Sequence, residues 1–545
     1  MKRPIITLLI TAFCLSGFAT VRPRYAGWNT DIWWQEDPVP NHLQMFNGQR
    51  RIGLHSRAPL TSIGSPKVPV ILVQFSDLKF TSGLPKDESC VTSDQQVMVN
   101  DFFDKFCNGL RDGGYYTDHG SFGAIAEYFR DQSDGLFTPD FVVIGPVTLE
   151  NGYATYGKNE KGTDSNISEF YKESVQKAQD LFNDWNLFDN DHNGTVDMMF
   201  FIYAGKGENF SNNPNAIWPK EQPSGGTICS VTIGCYACCN EILSTGKPDG
   251  IGTFIHELSH ALGLPDLYDF GLLAYGMDYW DIMDCGCYCN NSYWPCGYSA
   301  YEKDFMGWKP LVTLDDTEAT HIVLKPQHAG GVGYKMVNPD NPDEYYVIEN
   351  RQNEEWDTYI GCMDYDIKAH GMVVTHIDYA QSFWTGNWVN STIEHQRCTL
   401  VPADGHLESY INNGCSYDQY IKSSLGNPFP GTKNVTSCEA RKPTILRYRD
   451  QKTSELTTCK LPAVYIGAMD QALRNIVEHE DGTIEFDYCP HGKMPIDADG
   501  LNESKSSNET KVSSYDINGR KIDKSQKGIN IIRMSDGTTR KVLIK

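Results

Sequence analysis

Apolar residues recur along this chain with two periods, and each period predicts a kind of element. Residues 68–75 (VPVILVQF) are a short, β-branched, almost unbroken apolar run, the pattern of a strand covered on both faces. Val175, Ala178, Leu181, Phe182 and Trp185 recur at helical spacing, which predicts an amphipathic helix ending near Leu187. Residues 198–203 follow as a strand. A further helix is predicted around residue 258, with residues 251–255, Leu258, Ala261 and Leu262 as its buried side. After residue 310 the pattern changes to short β-type runs set off by Gly, Asn, Asp and Pro, such as EYYVIEN (344–350) and GMVVTHID (371–378). That change predicts an all-β module over 311–490. A polar Ser/Asn/Lys/Glu stretch at 491–512 reads as a linker, and 513–545 as a small β tail. The chain has no internal repeat.

The start of the chain has a different character. Lys2 and Arg3 precede a mostly apolar run that closes on Gly17, Phe18 and Ala19, so residues 1–19 read as a signal peptide, too short to span a bilayer. Residues 20–65 carry no period, include Trp33 and Trp34, and end in Arg50, Arg51 and Arg57, which suggests a pro-segment with basic cleavage points.

Composition narrows the function. With 545 residues, 40% of them hydrophobic, more than one core is expected. A net charge of −23 argues against nucleic acid as a partner, because phosphate is bound by a basic face. Seventeen cysteines less Cys14 leave sixteen, an even number in a chain predicted to be exported, so disulfides are expected. Two groups, Cys229/Cys235/Cys238/Cys239 and Cys285/Cys287/Cys289/Cys296, lack zinc-ribbon spacing and would staple a cleft if they paired with each other.

The stretch between those groups, HELSHALGLPDLYD (256–269), carries the chemistry. Residues four apart share a helix face, so His256 and His260 can turn imidazole nitrogens toward one ion. Glu257 beside them can act as general base on a water. Gly263 can take the positive φ that stops a helix, and Pro265 prevents its continuation, so the turn can return Asp266 as a third, oxygen ligand. Two imidazoles, one carboxylate and an open position are the donor set of catalytic zinc.

His256-Glu257-x-x-His260-x-x-Gly263-x-x-Asp266 resembles the extended metzincin motif with aspartate as third ligand. Met283, within YWDIMD (279–284), is then the candidate for the methionine turn beneath the metal, and Asp284 at the next position does not support a tyrosine switch. The chain also resembles the immune inhibitor A family of secreted bacterial metallopeptidases. That likeness spans roughly residues 66–405 and rests on VPVILVQFSD (68–77), GSFGAIAEYFRDQSDG (120–135), FIYAGKGE (201–208), YYVIENRQ (345–352) and HGMVVTHID (370–378). It implies zinc-dependent cleavage of peptide bonds by a metzincin-like domain at 66–310, followed by a β-rich module.

Three further features remain. In DNDHNGTVD (189–197), Asp189, Asp191, Asn193 and Asp197, with the Thr195 carbonyl, occupy calcium-loop positions around Gly194, but Phe200 stands where a bidentate glutamate belongs. Residues 20–65 contain no cysteine, which excludes a cysteine switch there and leaves Asp31, Glu36 or Asp37 as carboxylates able to reach the metal. The tail from residue 515 resembles the C-terminal sorting domains of the type IX secretion route of Gram-negative bacteria. His119, His370, His376 and His395 have no ligand spacing and read as structural.

The sequence therefore predicts an α+β fold: a metzincin-like domain of mixed sheet and helices, then an all-β sandwich-like module. The function expected is an exported zinc endopeptidase acting on proteins or peptides, with Zn2+ and Ca2+ as cofactors, no nucleic-acid partner and no transmembrane anchor. The alternative is a secreted adhesion or glycoprotein-binding protein with a vestigial zinc site; retention of Glu257 disfavours it, since a structural site has no use for a base.

Overall fold

The computed structural model describes residues 52–54 and 58–495, apart from short segments at 111–113, 161–162, 223–224, 270–273, 365, 409–414 and 451, and parts of 511–544. The expected signal peptide, residues 20–51 with Asp31, Glu36 and Asp37, and most of the expected linker lie outside the described residues.

The first half is built on a sheet of β1 (Lys67–Gln74), β2 (Asp140–Thr148), β3 (Val196–Lys206), β4 (Lys220–Gln222) and β5 (Val231–Ile242), in the order β2-β1-β3-β5-β4. All neighbours in that order are parallel except the edge strand β4, which runs antiparallel to β5, as does a sixth short strand, Gly226–Ile228, paired with the start of β5. The predicted strands at 68–75 and 198–203 are β1 and β3. Both read as continuous apolar runs because helices cover both faces of the sheet. Val70, Leu72, Phe200 and Ile202 share one core with Phe103 of α1 (Ser93–Asn108), Phe129 of α2 (Ile125–Gln132) and Leu258. Ile71, Val73, Phe201 and Tyr203 share another with Phe170 and Val175 of α3 (Ile167–Ala178).

α3 stops at Ala178, earlier than the apolar spacing predicted, and Leu181 is exposed. Asp180, Asn183 and Asp184 favour turn over helix. Phe182, Trp185 and Phe188 leave the helical register to pack on one another, with centroids 5.2–6.0 Å apart. At the other end, residues that the sequence assigned to a pro-segment belong to the folded unit. Leu60 is fully buried and its N–H donates to the Ala261 carbonyl at 3.1 Å, while Trp308 Nε1 donates to the Ser62 carbonyl at 2.6 Å.

The second half contains a five-stranded sheet around β6 (Asn341–Arg351) and β7 (Gly371–Asp378), where the runs at 344–350 and 371–378 fall. Alternation along β6 decides the architecture: Tyr346 and Ile348 face a four-stranded sheet through Leu473 and Phe486. Tyr345 and Val347 join the core of the first half. The two halves thus share packing across this sheet. The expectation of an all-β module is corrected by the helix Tyr417–Gly426, whose start was legible as a capping box of Ser416 and Gln419. Lys511–Tyr515 and three later strands form a small sheet in the tail, so the polar linker ends before residue 512.

The disulfide expectation is also corrected, because the sixteen cysteines from Cys90 to Cys489 are all unbridged. Fourteen of the sixteen are buried, and they behave as small apolar residues. The proposed staple is absent: Cys238 faces the α3 side of the sheet, and Cys235 and Cys239, which share a core with Cys285, Cys287, Cys289 and Cys296, are free thiols like them.

Candidate metal centre

The helix α4 (Gly252–Ala261) follows β5 and is buried on every side, not on one stripe. Gly263, at φ +102°, ends it as expected, its N–H donating to the His260 carbonyl at 2.9 Å while Leu264 N–H donates to Ser259. Gly53 presses against this stop so closely that an added Cβ would lie 1.9 Å from the Gly263 carbonyl oxygen, and Leu54 N–H donates to that oxygen.

The turn brings Asp266 back. Its Oδ1 lies 3.1 Å from His256 Nε2 and 3.4 Å from His260 Nε2, and all three side chains are 0–1% exposed. The other ring nitrogens meet carbonyl oxygens: His256 Nδ1 is 2.9 Å from Ile282 O, and His260 Nδ1 is 2.8 Å from Leu264 O. A carbonyl cannot donate, so each Nδ1 carries a hydrogen and a neutral ring turns its Nε2 lone pair toward Asp266. Two lone pairs and a carboxylate buried facing one another need a cation between them. Among the described residues, His260 Nε2 is itself a buried polar atom with no hydrogen-bond partner. Burial works against a charged His260, yet the Asp266 carboxylate raises its pKa. Burial likewise works against ionised Asp266, and the two imidazoles override it and hold its carboxyl well below the usual range. The donor set fits zinc.

Residues 60–309 match the family model described as the immune inhibitor A peptidase M6, catalytic domain. This stretch of the chain is similar to M6 metallopeptidase catalytic domains. Immune inhibitor A of Bacillus thuringiensis subsp. alesti is 25% identical over 289 residues, covering 46% of this chain and 41% of that protein. Pre-pro-metalloprotease PrtV of Vibrio cholerae serotype O1 (strain M66-2) is 26% identical over 276 residues, covering 44% of this chain and 29% of that protein. The chain spans less than half the length of these curated relatives.

Within the matched segment, Glu257 is fully buried on the same turn as His256. Met283 is fully buried as well, and its carbonyl accepts from Leu267 N–H at 2.9 Å, directly after the Asp266 turn. Asp284 accepts from the backbone N–H groups of Met277, Asp278 and Cys285, shaping that turn.

The second acidic group is brought together only in part. Asp189, Asp191 and Asp197 offer oxygens within 4.8 Å of one another. Asn193 turns its side-chain oxygen to Thr195 N–H at 2.8 Å, and Phe200 is buried within β3. Burial and the neighbouring carboxylates push Asp197 up to about 7, against the Asn190 amide that donates to it at 2.9 Å. The four histidines without ligand spacing are paired elsewhere: His370 with Glu478, His376 with Glu344, His395 with Asp378, and His119 against the Tyr293 ring.

One contributor had no signal in the sequence. Asn387, outside the matched segment, donates through Nδ2 to Asp266 Oδ2 at 2.5 Å and accepts from Asp266 N–H at 2.7 Å. No motif marks it.

Proposed function

We propose that this protein is an exported zinc endopeptidase in which His256, His260 and Asp266 hold the metal and Glu257 is the general base. The observation that carries it is the convergence of two Nε2 lone pairs and one carboxylate oxygen in a fully buried site whose Nδ1 atoms are both committed to carbonyls. A zinc ion there supplies Lewis acidity toward water and the scissile carbonyl. Glu257 removes a proton from the attacking water as the water oxygen bonds to the carbonyl carbon. It then delivers that proton to the leaving amide nitrogen as the C–N bond breaks. Met283 directly follows Ile282, whose carbonyl fixes the tautomer of His256. The sheet with its antiparallel edge strand β4 beside α4 supports a metzincin-like reading of the domain, and the two sheets packed across Tyr346 support a sandwich-like reading of the second half. Among the described residues no helix is long and apolar enough to cross a membrane. Export is inferred from the first nineteen residues, and a sorting role for the tail from its resemblance.

The test is metal content set beside hydrolysis of casein or gelatin. One zinc per chain, with activity lost to a chelator and restored by Zn2+, is the expected result. Metal-free protein that cleaves casein would overturn the reading, and so would zinc-loaded protein that cleaves no peptide.

We also propose a calcium ion at Asp189, Asp191 and Asp197, because three mutually close carboxylates, one of them buried, repel one another without a cation.

A further inference from the structure

We propose that Asn387 is a positioning residue that commits Asp266 to a single oxygen facing the imidazoles, so that the metal centre is completed from the second half of the chain. The proposal rests on reading His256, His260 and Asp266 as metal ligands.

Asp266 has two oxygens with different partners. Oδ1 is the atom near both Nε2 nitrogens, whereas Oδ2 accepts the Asn387 amide at 2.5 Å. The same Asn387 side chain accepts from Asp266 N–H at 2.7 Å, so one amide grips the carboxylate and the backbone of one residue. Asn387 is 2% exposed and Asp266 0%, so water cannot replace either bond. The grip requires a donor and an acceptor on one short side chain. Aspartate offers only acceptors, and an aliphatic residue offers neither.

The backbone agrees with this choice. Asn387 sits at φ +59°, a left-handed conformation that asparagine tolerates better than most residues. Its position is set from both sides. Trp384 Nε1 donates to Tyr301 OH at 2.7 Å, and Asn390 Nδ2 donates to the Leu267 carbonyl at 2.6 Å. Further along, the Gln396 side-chain oxygen accepts from Gly276 N–H at 2.9 Å. The loop carrying Asn387 is therefore fastened to the stretch that carries Asp266.

The consequence concerns coordination. A carboxylate that swung to offer both oxygens to a cation would occupy a position that water needs, and it would have to break the Asn387 bond to do so. Holding Oδ2 aside keeps Asp266 monodentate.

The experiment uses the full chain, stripped of metal, as wild type, Asn387→Gly and Asn387→Asp. Zn2+ is titrated against a chromogenic chelator, and Co2+ is bound to read its visible ligand-field bands. Glycine keeps the positive φ and removes the grip; aspartate keeps the bond to Asp266 N–H and opposes Oδ2 with a like charge. Both variants should lose about ten- to a hundredfold in Zn2+ affinity. Both should also show altered Co2+ bands. Unchanged affinity would overturn the proposal, as would weaker affinity with wild-type Co2+ bands. If Asn387→Gly does not fold, Asn387→Asp decides alone. Wild type that binds no Zn2+, or binds it equally well after Asp266→Ala, would remove the metal centre and the proposal with it.

Discussion

His256 Nδ1 donates to the Ile282 carbonyl at 2.9 Å, tying the metal helix to the residue that precedes Met283. Asp281 accepts from Met283 N–H at 2.8 Å on the other side, so the turn is held from both ends around a fully buried methionine. Met283→Ala should cost about 2–5 kcal/mol of stability by leaving a cavity. Met283→Leu, of similar volume, should cost under about 1.5 kcal/mol. Urea unfolding of the zinc-loaded proteins measures both, and an alanine variant as stable as wild type would contradict the packing role.

Glu257→Gln keeps the shape of the side chain and removes the base. Peptide hydrolysis should fall by about 10²–10⁴-fold or more, the usual worth of a positioned base, while zinc content stays at the wild-type level. Turnover of a fluorogenic peptide beside metal analysis tests this, and undiminished turnover would end the role given to Glu257.

For the acidic loop, Ca2+ added to chelator-treated protein should raise the melting temperature, and Asp189→Asn should shrink that rise. The stabilisation grows with free Ca2+ by mass action, reaching about 2.7 kcal/mol at a hundredfold excess over Kd. A melting temperature indifferent to Ca2+ would leave the loop as a solvated acidic turn.

Asp249, just before α4, provides a pH test away from the metal donors. Burial pushes its carboxyl up to about 8, only partly offset by Gly250 N–H and the Asn240 amide, which both donate to it. A carboxyl raised on folding favours the folded state fully below the unfolded value near 4, and that contribution is lost as pH rises through 8. Metal-free stability should therefore decline between about pH 5 and 8, with Asp249 adding up to about 1.4 kcal/mol per unit to the slope. Asp249→Asn should flatten the decline; parallel profiles for the two proteins would refute it.

The cysteines make the fifth prediction. Unreduced, denatured protein should alkylate at all sixteen positions from Cys90 to Cys489, and reductant should leave the melting temperature unchanged. Bridged peptides in a non-reducing mass map would contradict the structure.

Local chemistry was legible where one turn or one strand contains the whole cause. The spacing of His256, His260, Gly263 and Asp266 encodes the helix face, its stop and the return of the third donor, since each depends on residues within eleven positions. The apolar runs of β1, β3, β6 and β7 revealed strands covered on both sides. Where several causes competed, periodicity alone failed: α3 stopped early because Phe182, Trp185 and Phe188 found a better packing than the helix offered. The cysteine count suggested bridges, but fourteen of the sixteen thiols from Cys90 to Cys489 are buried unbridged as small apolar residues.

By itself, then, the sequence determined which donors share a turn and which runs become strands, because backbone geometry couples residues only over a few positions. Tertiary structure decided what holds those donors in place. Asn387 reaches Asp266 across 121 residues, and the sheet around β6 closes on the first half through Tyr345 and Val347. Such contacts arise from how distant surfaces pack, which no spacing along the chain encodes.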